Sequence, residues 1–170
     1  SLSTLGFVVY KEHSIYLASA LAGDDSSAFS ISEPIETDGP GGVHSVVNLH
    51  GYHMYMTDTG RICVFDGLSY PEGIADGLWL FLQDDIDPLY SYKIFGVYDH
   101  RLHCVTFWYP RLGDVGLLKG MVIVNLPLKG SGVEEFSSFL GLSSKPCSYG
   151  YEQHFDNTLR RSVIFTSTTG

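Results

Sequence analysis

His50-x-x-His53 and His100-x-x-His103, the second pair followed directly by Cys104, are the residues of this chain most suited to chemistry by type and spacing. Imidazoles and thiolates bind divalent transition metals when their donor atoms converge. On a strand, residues three apart point to opposite faces, so convergence requires a bend at Gly51 or at Arg101. A repeated hairpin accounts for both pairs without any ion. Carboxylates gather at Asp24-Asp25 and at Asp84-Asp85 with Asp87. Two acids flanking a glycosidic bond at a set separation would hydrolyse it. Neighbouring acids on loops are ordinarily just solvated, and the second group lacks the distal Glu of a calcium loop. No GxSxG elbow and no glycine-rich phosphate loop is present in the sequence. Trp79 and the run Phe107-Trp108-Tyr109 offer faces for stacking, although such residues more often anchor cores and interfaces. The sequence therefore assigns no catalytic residue, no cofactor and no metal ligand, with His50, His53, His100 and His103 as the nearest metal candidates.

Composition narrows the classes further. The chain has 170 residues, enough for one domain with a sizeable core. Hydrophobic residues make up 44% and aromatic residues 14%, with only 17% charged. Few charges, many aromatics and 19 glycines favour a turn-rich β protein over a helical bundle. Ten basic residues stand against 19 acidic ones, a formal net charge of −9. Phosphate backbones are held by clustered Lys and Arg, so DNA is at most a polymer that passes by without specific binding. Three cysteines without CxxC spacing read as free thiols in a reducing compartment. No stretch is apolar for long enough to form a membrane-spanning helix. The first and last residues suggest an excerpt of a longer polypeptide or a processed product.

The elements that would position these residues are mostly strands. Residues 5–11 and 14–18 form a hairpin, and 37-TDGPGG-42 is the strongest break in the chain. Residues 43–49, 52–57 and 61–65 form a three-strand meander with turns at His50-Gly51 and Asp58-Thr59-Gly60. The segment 71–88 reads as a helical insertion, because Ile74, Leu78, Phe81 and Leu82 recur at helical spacing after Pro71 and Glu72. Residues 92–98 and 102–109 form another hairpin. The run 121–126 is a strand with the character of one covered on both faces. Residues 127–160 look less regular, with a weak helix or edge segment at 133–140, before a last strand at 162–168.

Repetition suggests an architecture. Val8, Val47 and Val97 occupy comparable places before successive turns, at spacings within the range of propeller blades. A mainly β fold of antiparallel, blade-type meanders with one short helix is the expectation, and a β-sandwich is the alternative. The chain supplies three or four units, fewer than a closed propeller needs, so residues beyond it or another chain would complete the ring.

The order "VVYKEHSIYLAS", "GGVHSVVNLHGYHMYMTDTGRICVFDG", "IADGLWLFLQDDID" and "YKIFGVYDHRLHCVTFWYP" resembles the propeller-bearing tail proteins of tailed bacteriophages, of the tail tubular protein B or nozzle type. The resemblance covers roughly residues 5 to 130 and is one of strands and turns. It implies a non-enzymatic structural subunit of a virion, in the tail or connector through which DNA passes. It further implies assembly in the host cytoplasm, a homo-oligomeric ring and other virion structural proteins as partners. The alternatives are a β-rich binding module recognising a protein or glycan, and a propeller-type glycoside hydrolase. Loops on rigid scaffolds carry contacts, so 23–27, 37–42 and 110–116 are expected to meet partners. Asp24, Asp25, Gly39, Pro40, Trp79, Trp108, Tyr109 and Arg111 are the interface candidates.

Overall fold

A computed structural model describes residues 6–20, 29–49 and 51–126 in full, and the backbone of 137–155 and 160–167. The fold is mainly β, in three sheets whose paired strands are all antiparallel. In the first sheet β1 (Gly6–Tyr10) pairs with β2 (Ser14–Ala20), and β3 (Phe29–Ile31) and β4 (Ile35–Glu36) both pair with β2. The second is a meander of β5 (Val46–Leu49), β6 (Tyr52–Met56), β7 (Ile62–Phe65) and β8 (Glu72–Ile74). The third runs β9 (Phe95–Asp99), β10 (Cys104–Pro110), β11 (Leu118–Asn125), β12 (Ser137–Phe155) and β13 (Arg160–Ser167). Between the second and third sheets lie helix α1 (Asp76–Asp85) and a 3-10 turn, Pro88–Lys93.

Strand alternation decides how the sheets stack. On β6, Met54 and Met56 join Val47, Leu49 and Ile62 in a core shared with Val105, Phe107, Val122 and Val124 of the third sheet. Tyr55, between the two methionines, turns the other way. With Cys63 and Phe65 it packs against Ile15, Tyr10 and Leu17 of the first sheet. The second sheet is therefore the middle layer, apolar on both faces, which is why its strands read as near-continuous hydrophobic runs. Leu82 of α1 caps the core between the second and third sheets, and Ile86 follows it in.

This arrangement overturns the propeller expectation. The three sheets are separate and open, of four, four and five strands, and none closes round an axis. Phe7, Phe29 and Ile31 of the first sheet remain exposed. Residues 127–160 also differ from their reading, since β12 spans 19 residues of that segment. Its text, SSFLGLSSKPCSYGYEQHF, contains one proline, two glycines and no β-branched residue, so propensity gives only the weak strand signal of its aromatic residues. Pairing with β11 and β13 on its two sides supplies what local preference does not. No helix among the described residues is long and apolar enough to cross a membrane.

Candidate functional site

The loop 37–42 is where chain geometry is tightest. It runs between the first and second sheets and is hydrogen-bonded to both. Thr37 N–H donates to His13 O at 3.2 Å and Gly39 N–H to Glu12 O at 2.8 Å, holding it against the β1–β2 turn. Gly41 N–H donates to Met56 O at 2.9 Å, and the Tyr55 hydroxyl donates to Asp38 O at 3.1 Å. The buried Ser45 closes the far end by donating through Oγ to Gly42 O at 2.9 Å. Such close approach needs glycine. A Cβ on Gly39 would collide with Lys11 O, and one on Gly41 would lie 2.6 Å from Asp58 N.

This pinned loop forms one wall of a groove of about 830 Å³. Tyr10, Asn48, His53, Pro40, Val43 and Tyr92 are among its lining residues. At its floor the Tyr10 hydroxyl lies 2.7 Å from His53 Nδ1. Burial raises the tyrosine pKa and lowers that of the histidine, so a neutral phenol and a neutral imidazole share this hydrogen bond. The Tyr10 ring also packs against Tyr55 and Phe65, with centroids 5.5 and 6.4 Å away. At the rim, Val43 is 90% and Tyr92 60% exposed, an apolar and an aromatic side chain left facing solvent.

A second, more polar pocket of about 490 Å³ lies on the other side of the same loop and of the β1–β2 turn. His13, Tyr16, Glu36, Asp38, Arg61 and Tyr70 line it. The Tyr70 hydroxyl donates to Glu36 O at 2.6 Å, which fixes its ring beside the opening.

The other residues singled out from sequence are dispersed. Asp24, Asp25 and His50 lie outside the described residues. His53 is engaged with Tyr10, whereas His100 follows β9 on another sheet, its ring centroid 4.0 Å from that of Tyr98. His103 is exposed, with a left-handed φ of 50° in the β9–β10 turn. Among the described residues, no three or more His, Cys, Asp or Glu side chains are grouped to hold a metal ion. Asp85 accepts from the Tyr109 hydroxyl at 2.9 Å and from Arg111 through Nε and Nη2 at 2.9–3.0 Å. That fork ties α1 to the end of β10, so both Tyr109 and Arg111 serve the interior of the fold. Asp87 accepts from Leu89 N–H at 3.0 Å and caps the 3-10 turn. Trp108 is buried with Phe95, Val97 and Leu118 on the other face of the third sheet. The Trp79 ring lies 5.4 Å from the Arg61 guanidinium. Gly39 and Pro40, by contrast, line the large groove.

Sequence reasoning passed over Tyr10, Asn48, Tyr92 and Arg61. Arg61 carried a signal: a charged residue directly after turn-forming Gly60, at the head of the apolar strand 62–65. The pairing of Tyr10 with His53 carried none, since only the stacking of two sheets brings residues 43 positions apart together.

Neither the family models nor the curated proteins compared with this sequence give a match. The resemblance to phage tail proteins is thereby corrected. It rested on the order of hairpins, and hairpins of this kind recur in any antiparallel meander. Neither the comparisons nor the open sheets support a nozzle-type identity.

Proposed function

We propose that this chain is a non-enzymatic β-sheet binding module that recognises a segment of another protein through the groove beside loop 37–42. The observation that carries this reading is the pairing of exposed Val43 and Tyr92 on the rim with a backbone pinned to two sheets. Apolar and aromatic side chains held in advance on a rigid frame lose little entropy when a partner covers them. Pro40, Val8 and Val46 extend the apolar lining, while Asn48 and the neutral His53 supply polar anchors. That mixture suits an extended peptide segment with one or two apolar side chains. Of the carboxylates considered for hydrolysis, Asp85 and Asp87 have structural work, one in the fork and one in the cap. This favours recognition over turnover.

Selection of random peptides on the immobilised chain tests the reading. Wild type is expected to enrich a common apolar-aromatic motif that Val43→Asp and Tyr92→Ser, both surface changes, fail to enrich. Equal enrichment on all three proteins, or none on wild type, would overturn it.

A further inference from the structure

The polar pocket is lined by a guanidinium that has no ion-pair partner of its own among the described residues. Arg61 makes no ion pair among the described residues, and its buried Nε has no hydrogen-bond partner. Its guanidinium is nonetheless held firmly. The Trp79 ring lies on one side at 5.4 Å, within cation–π range. Gly73 of β8 lies against it as well: a Cβ there would sit 2.5 Å from Nε and 2.7 Å from Nη2. A planar, pre-positioned guanidinium lining a pocket is the standard receptor for a planar carboxylate. A second cation stands close by, since Lys11 Nζ is 4.7 Å from the centroid of Tyr16, another lining residue.

The remaining walls select what carries the acid. Glu36 and Asp38 supply acceptors, Ser14 and Thr37 hydroxyls, and Tyr16 and Tyr70 aromatic faces. With Arg61 and Lys11 set against Glu36 and Asp38, the charges nearly balance, which disfavours a dianion such as phosphate, while the two carboxylates accept hydrogen bonds from neutral hydroxyl groups. A ring bearing several hydroxyls and one carboxylate meets all of these groups, and about 490 Å³ admits one such ring with water. From this geometry we infer that the pocket between the β1–β2 turn, β4 and Arg61 binds an acidic monosaccharide unit of the uronate type, its carboxylate on Arg61. The site is separate from the groove and does not depend on the protein-binding reading.

Calorimetric titration of the full chain with D-glucuronate, D-glucuronamide, D-glucose and acetate tests this. Glucuronate is expected to bind, with each of the other three weaker by about tenfold or more, because each lacks the charge or the hydroxyls. The glucuronamide comparison requires no variant and so stands even if a change at Arg61 disturbs folding. Arg61→Lys, which keeps charge but loses the planar fork, is expected to weaken glucuronate by about tenfold. Tyr92→Ser, in the other groove, should leave it unchanged. Acetate binding as tightly as glucuronate would reduce the pocket to a simple anion site and overturn the assignment. So would equal affinity for glucuronamide, or no binding of glucuronate at millimolar concentration.

Discussion

The Tyr10 hydroxyl on β1 and Nδ1 of His53 on β6 share a hydrogen bond of 2.7 Å, which joins the first sheet to the second beneath the groove. The two residues titrate in directions that keep the bond neutral, the phenol harder to ionise and the imidazole harder to protonate.

That contact sets a pH dependence. Burial depresses the folded-state pKa of His53 below its unfolded value, near 6.5. Below about pH 6.5 the unfolded chain binds more protons at this site, so stability falls as pH drops through the folded-state pKa. Above that window the contribution is fully present. Denaturant midpoints measured between pH 7 and 5 should fall more steeply for wild type than for His53→Gln, whose amide can still hydrogen-bond to Tyr10 without titrating. Parallel slopes would contradict the assignment.

The fork on Asp85 should be the strongest polar tie in the third sheet. The Asp85 side chain is 13% exposed and that of Arg111 34%, so solvent weakens the ion pair but does not remove it. Asp85→Ala strands a guanidinium and a phenol together and should cost about 2 kcal/mol by chemical denaturation. Tyr109→Phe removes one donor only and should cost about 1 kcal/mol. A smaller loss for Asp85→Ala than for Tyr109→Phe would show that the fork does not act as described.

Much of this layout was legible and some of it was not. Hairpins around 11–13, 57–61 and 100–103 follow from turn chemistry and alternation, and the structure pairs them as β1–β2, β6–β7 and β9–β10. The mainly β class follows from the same signals. The sheet count does not, because His44 to Leu49 reads the same whether its sheet faces one neighbour or two. Met54 and Tyr55 show why: both are fully buried, yet they point into different interfaces. A local pattern records burial and not the identity of what covers it. Arg111 and Tyr109 read as interface candidates, one in a loop and one at a strand end, because their common partner, Asp85, lies more than twenty positions away. The propeller reading failed for the same reason, since recurrence of a hairpin says nothing of closure.

The tight loop gives a contrast between glycines. Gly39→Ala drives a methyl group into Lys11 O and should destabilise by about 2 kcal/mol or more. Gly77, in the first turn of α1, has no atom within 4 Å of an added Cβ. Gly77→Ala should therefore be neutral or stabilising by up to about 1 kcal/mol. Thermal unfolding of the two variants beside wild type checks both signs, and equal losses would contradict the packing at Gly39.

Cysteine reactivity reports the buried layer between the first and second sheets. Burial raises the Cys63 thiol to about 11, and it raises that of Cys104 as well. The thiolate is the reactive form, so both should resist alkylation at pH 8 in the folded protein and react quickly in denaturant. Peptide-resolved mass spectrometry separates them from Cys147. Labelling of native Cys63 at its denatured rate would mean that the two sheets do not pack as described.

The most direct test of the recognition claim is an amide chemical-shift map of the labelled chain titrated with a peptide selected on it. The account predicts that the largest shifts fall at 8–12, 39–48, His53 and 91–92, around the groove. Shifts centred instead on Phe7, Phe29 and Ile31, exposed on the first sheet, and on Leu68 in the loop after β7 would contradict it.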